Sequence, residues 1–122
     1  VAVGGGIGAE DGYREMKRLL ALPTPPSAVF CYNDTKAFGA LKALQEARIP
    51  VPGRISVVGF DDIEFCEYSS PPLTSIRQPR FDMGYKAAKI LLHLLQNPEA
   101  EIEKQIALEP KLTLRNSTGP FI

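Results

Sequence analysis

Apolar residues follow two rhythms along this chain. In 28–32 (AVFCY) and 55–60 (ISVVGF) they form nearly unbroken runs of strand length, whereas in 9–22 and 35–49 they recur every three or four positions. Unbroken runs indicate strands covered on both faces, and the periodic stretches indicate helices with one inward stripe. Tyr13, Met16, Leu19 and Leu20 share one face of the first helix, and Ala37, Phe38, Leu41, Leu44 and Ala47 share one face of the second. PTPP (23–26) and PVPG (50–53) end the two helices. Val1–Val3 is a short β-branched run ahead of a glycine loop, so the first half reads β, α, β, α, β.

Strands alternating with helices imply a parallel open sheet flanked by helices, a three-layer α/β/α arrangement with right-handed crossovers. The second half breaks the rhythm. YSSPPL (68–73) is too rich in proline for a helix, LTSIRQ (73–78) is a short strand, and QIALEPKLTLR (105–115) alternates after Pro110 as an edge strand would. Between them lies a helix over 81–96, with Asp82 as its expected cap. Its polar residues Lys86, Lys89, His93 and Gln96 form one narrow stripe, and apolar side chains fill most of the remaining circumference. Such a helix needs cover on more than one side, from a second subdomain or a partner chain. His93 reads as a solvated histidine, because no second ligand type lies within a turn of it at metal spacing.

The 122 residues, 44% hydrophobic and 23% charged, suit one soluble core. No apolar run approaches the roughly 18 to 20 residues of a bilayer span, so no membrane partner is expected. Fourteen basic residues balance fourteen acidic ones without any basic block, which removes the field that concentrates a polyanion. DNA could be reached only through another segment. Cys31 and Cys66 lack metal-ligand spacing and are expected as free thiols in a reducing compartment. The chain opens without Met and inside a strand, so a longer protein is expected.

In an open parallel sheet, ligands gather beyond the carboxyl ends of the strands. There this sequence delivers the glycine loop with Ile7, then Asn33 and Asp34, then Asp61 and Asp62, then Arg77 and Gln78. Amides and carboxylates provide directed donors and acceptors but no nucleophile, which is chemistry for holding a polyhydroxylated or nitrogen-rich small molecule. The plainer reading is that polar residues after strands are caps and turn formers, and Asp34 is well placed as an N-cap. Asp62 is read as capping the turn 63–67.

Enzymatic alternatives are poorly supported. GGGIGA (4–9) fits a dinucleotide fingerprint, but the acidic residue that should follow about 20 positions later is misplaced, and Glu10 and Asp11 would repel a phosphate. Asp61 and Asp62 could hold Mg²⁺, yet no lysine or nucleophile motif accompanies them. Catalysis by Cys31 would lack a neighbouring histidine. Neither a cofactor nor a metal is expected.

FCYNDTKAFGALKAL, IPVPGRISVVGFDDIEF and SSPPLTSIRQPRFDMGYKAAKILL resemble successive segments of the effector-binding domain in the lactose-repressor/galactose-repressor (LacI/GalR) transcription regulators. The resemblance runs from about Gly8 to Pro120 and lies in the C-terminal part of that domain. It implies a periplasmic-binding-protein-like fold of two α/β subdomains with a small-molecule effector, a sugar or purine-like compound, in the cleft between them. It also implies a bacterial cytoplasmic homodimer or higher oligomer, a separate helix-turn-helix that binds the operator, and no catalysis. By resemblance the effector contacts are Asn33, Asp61 as principal carboxylate, Gln78 and an apolar wall at Ile7. Phe65, Tyr68 and the apolar sides of helix 81–96 become candidate subunit contacts. A periplasmic sugar-binding protein of the same fold is the alternative, and a nucleotide- or Mg²⁺-dependent enzyme a more distant one.

Overall fold

A computed structural model describes residues 4–120. The expected strand Val1–Val3 lies outside the described residues. The elements in order are α1 (Ala9–Leu20), β1 (Ala28–Phe30), α2 (Asp34–Glu46), β2 (Ser56–Asp61), a 3-10 turn (Glu64–Glu67), β3 (Thr74–Arg77), α3 (Arg80–Gln96) and β4 (Lys111–Thr113). The strands form one sheet in the order β1-β2-β3-β4. β1 and β2 pair in parallel with Phe30 opposite Val58, and β2 and β3 pair in parallel with Asp61 opposite Arg77. Parallel neighbours need a crossover rather than a hairpin, and α2 provides it between β1 and β2.

Two compact units divide the chain: residues up to Arg77 together with those from Leu112 onward, and Gln78–Lys111. The core of the first is built from Met16, Leu19, Leu41, Leu44, Ile55, Val57 and Leu73, with alanines 37, 40 and 43 where helices approach closely. Gly12 lies at the α1–α2 contact, where a Cβ would collide with the Lys36 carbonyl. The segment after β4 is tied into this unit by Ser117, whose hydroxyl donates to the Val57 carbonyl (2.6 Å) and accepts from the Thr74 amide (2.8 Å).

One expectation about coverage needs correction. The run 28–32 gives a strand of only three residues, and it is not covered on both faces, since Phe30 is 64% and Tyr32 72% exposed. An apolar groove of about 810 Å³ runs beside it, lined by Met16, Leu19, Leu22, Val29, Phe30 and Cys31 among others. In the second unit, α3 carries no buried residue, and Phe81, Leu91, Leu92 and Leu95 all stand exposed. Its N-cap is Pro79, not Asp82, which sits inside the first turn without a side-chain cap bond. There its charge still complements the helix dipole.

Candidate effector site

β1, β2 and β3 end side by side. Asp61 at the end of β2 pairs with Arg77 at the end of β3, and three residues beyond the end of β1 the chain reaches Asn33 at the start of α2. Strands in a sheet lie about 4.8 Å apart, so Asp61 and Arg77 stand side by side at the carboxyl edge. The backbone at the end of β2 is unusual. Asp61 has φ +105° and Asp62 φ +51°, both in the region that L side chains rarely adopt. A residue so held costs on the order of 1–3 kcal/mol and persists only where its surroundings fix it.

Those surroundings are two buried carboxylates. The Asp62 side chain is fully buried and accepts from Arg77 Nε (2.6 Å), an Arg115 terminal nitrogen (2.7 Å) and Thr113 Oγ1 (3.0 Å). It binds no backbone amide of the following turn, so it is not a cap; it is the hub joining the ends of β2, β3 and β4. Burial pushes the Asp62 carboxyl up, but the hydrogen bonds from Arg115, Arg77 and Thr113 outweigh burial and hold it below the ordinary aspartate value. The turn is instead fixed by Asp34, whose Oδ2 accepts from the Ile63 amide (2.8 Å) and whose Oδ1 accepts from the Ser75 hydroxyl (2.5 Å). Ser75 Oγ in turn accepts from the Asp62 amide at 3.1 Å. A side chain at position 59 would strike Asp34 Oδ1, so Gly59 is what allows the carboxylate to reach under β2.

Asp34 is consequently not the N-cap of α2 either. That role belongs to Asn33, whose Oδ1 accepts from the Lys36 amide at 2.8 Å. Its Nδ2 donates to the Ile7 carbonyl at 3.0 Å, which brings two of the expected site residues together. An amide oxygen has two lone pairs and an amide nitrogen two protons, so Asn33 retains capacity for a ligand after both bonds. Ile7 leaves its side chain 66% exposed. Gln78 follows Arg77 and begins the second compact unit.

Among the described residues no group of three or more His, Cys, Asp or Glu is placed to hold a metal. Both cysteines are free and buried. Burial pushes the Cys31 thiol up to about 12, and burial followed by the hydrogen bond with Asp34 does the same to Cys66. Neither thiol is a nucleophile at neutral pH. The large groove beside β1 includes none of Ile7, Asn33, Asp61 or Gln78 in its lining.

Several residues that build the site were not foreseen: Ser75, Thr113 and Arg115 around the two carboxylates, and the pair Glu15 and Lys36. For that pair a signal existed. Glu15 falls within the inward stripe of α1 beside Gly12, Met16 and Leu19, and Lys36 adjoins Ala37 and Ala40 on the inward side of α2. A charge on an apolar stripe demands a partner.

Residues 2–118 match the periplasmic binding protein-like domain family. The chain belongs to this family. Among curated relatives, the "Probable HTH-type transcriptional repressor ExuR" of Bacillus subtilis (strain 168) is 45% identical over 103 residues, covering 84% of this chain and 31% of that protein. The HTH-type transcriptional repressor PurR of Vibrio parahaemolyticus is 42% identical, covering 82% of this chain and 30% of the relative. The chain thus spans about a third of the length of the curated relatives it matches. Among solved structures, a LacI family transcriptional regulator from Enterococcus faecalis V583 with bound ribose superposes with TM-score 0.89 at 34% identity, covering 98% of this chain and 44% of that one. A LacI family regulator from Lactobacillus casei with bound sucrose gives 0.77 at 33% identity, covering 91% and 41%. These relatives of the family are repressors and sugar-binding regulators, not enzymes, and the parallel sheet agrees with their fold.

Proposed function

We propose that this chain is the C-terminal part of the effector-sensing domain of a bacterial LacI-type transcription regulator, which binds a small sugar or nucleoside-like molecule and thereby modulates operator binding by a separate helix-turn-helix. The observation that carries this reading is Asp61, held at positive φ at the carboxyl end of β2 beside Arg77 and next to the buried hub of Asp62. A structure that maintains a strained carboxylate at the edge of a sheet, where ligands of such sheets gather, favours recognition over stability. The solved relatives with ribose and sucrose support sugars as the first class to try.

In this reading Asp61 accepts from vicinal hydroxyls, Asn33 adds a directed amide, Gln78 a second, and Ile7 lies against the apolar side of the ligand. Two such charge-assisted bonds contribute roughly 1.5 to 3 kcal/mol each, enough to separate a sugar from its deoxy analogue. The regulator acts in the cytoplasm as a homodimer or higher oligomer, with Phe65, Tyr68 and the apolar flank of α3 at the subunit contacts. The remainder of the protein supplies the second subdomain, the operator-reading segment and the cover for the groove beside β1.

The decisive experiment is a thermal-shift and calorimetric screen of sugars and purines, ribose and sucrose included, on the full-length protein and on Asp61→Asn. Asparagine tolerates the left-handed backbone and removes only the charge. A ligand that stabilises the wild type and binds the variant at least about 100-fold more weakly supports the assignment. Equal affinity in both removes Asp61 from the site.

A further inference from the structure

Three successive carbonyls of the glycine loop are each bound by a side chain from the first turn of α2. Lys36 Nζ lies 3.3 Å from both the Gly5 and the Gly6 oxygen, and Asn33 Nδ2 lies 3.0 Å from the Ile7 oxygen. From the other side, Asp11 Oδ2 accepts from the Gly8 amide at 3.1 Å. Gly5 and Gly6 take φ +143° and +55°, which glycine adopts without steric cost, so the conformation of the loop is left to these bonds to fix.

The anchor is an ammonium buried between two helices. The Lys36 side chain is 9% exposed, and Glu15, 8% exposed, meets it with Oε2 at 2.6 Å. An ammonium has three donors, and here Glu15, Gly5 and Gly6 offer it three acceptors. A methionine and a leucine at these positions would fill the α1–α2 contact about as well without the desolvation penalty of a buried ion pair, so packing alone does not call for the charges. What an apolar pair could not do is donate to the loop. Glu15 Oε1 is buried and has no hydrogen-bond partner, which fits a carboxylate kept for its charge on Lys36 rather than for a saturated polar network.

We propose that Lys36 and Glu15 are positioning residues of the effector site: Lys36 clamps the loop to the N-terminus of α2 so that Ile7 faces the ligand, and Glu15 holds the ammonium in aim. This rests on the reading of Ile7 as a wall of the site. The test uses the full-length protein and the double variant Lys36→Met/Glu15→Leu, which removes both charges and leaves neither partner orphaned. Melting temperature, calorimetric affinity for ribose and sucrose, and hydrogen exchange of residues 5–8 are measured, each with and without Ile7→Ala.

The expected result is a melting temperature near that of the wild type, with affinity for the sugar that binds reduced about tenfold, the scale on which losing an outer support of a site is felt. Ile7→Ala then weakens binding in the wild type but adds little in the double variant, because Ile7 is already out of place. Affinity unchanged in the double variant, or an undiminished Ile7→Ala effect there, overturns the proposal. If neither sugar binds the wild type, ribose and sucrose are excluded as effectors, and the clamp is judged on exchange alone. Amides of residues 5–8 exchanging about tenfold faster, with the cores of α1 and α2 unchanged, uphold it. Unchanged exchange of the loop refutes it.

Discussion

Asp61 and Asp62 are adjacent carboxylates, one proposed for the ligand and the other tied into the fold. Asp62 is fully buried against two arginines, one largely buried and one, Arg77, with its side chain 58% exposed. Asp62→Asn should lower stability by about 2–4 kcal/mol in urea unfolding, below the full cost of breaking a buried pair because Arg77 is solvent-screened. The pH dependence has a definite sign. The folded carboxyl titrates below the unfolded value of about 3.9, so its contribution is fully present above that value and is lost as pH falls through the folded pKa. Wild type should accordingly lose stability more steeply than Asp62→Asn as acid unfolding is followed below about pH 4 by circular dichroism. At the same scale lies the main lesson about legibility. The sequence marks Asp34 and Asp62 as polar residues after strands, the places where caps belong, but Asp34 binds the Ile63 amide and the Ser75 hydroxyl, and Asp62 binds side chains of β3 and beyond. Ser75 and Arg115 are distant in sequence, and nothing local records that their side chains converge on a carboxylate.

Among the elements, α1, α2 and the central strand were legible because their apolar periods match the faces they bury. Leu41 and Leu44 of α2 and Val57 of β2 are buried as the pattern requires. β1 was not, because an unbroken apolar run reports what a strand is built to face and not what faces it in 122 residues. Close packing of α1 on α2 is testable through Gly12. Gly12→Ala should destabilise the protein by about 1–3 kcal/mol, the usual cost of overpacking, despite alanine's better helix propensity. The buried thiols give a second check on the same elements. With both pushed up to about 12, Cys31 and Cys66 should react with a disulfide reagent only as fast as the fold opens. Rates that rise in step with urea bear this out; immediate labelling at neutral pH without denaturant contradicts it.

For the whole molecule, the groove beside β1 and the uncovered α3 place large apolar surfaces in water. The 122-residue chain alone should therefore bind a hydrophobic dye such as ANS strongly, and the full-length protein should not. It should also bind ribose or sucrose at least about 100-fold more weakly than the full-length protein, because it carries only part of the proposed cleft. Equal dye binding by both would show that the rest of the protein leaves the groove open. In the full-length protein, Leu91→Glu on the exposed flank of α3 should shift the proposed dimer towards monomer in sedimentation.

The backbone at Asp61 also sets how such a binding site can change its taste. A position at φ +105° accepts aspartate, asparagine or glycine with tolerable strain and resists β-branched residues. A lineage that acquires a new effector therefore has few single steps open at this carboxylate, and exchanging it for valine or threonine would cost the turn before it altered the ligand. In the proposed site, substitutions that alter the ligand are sterically easier at neighbours on ordinary backbone, Asn33 at φ −150° among them, than at position 61.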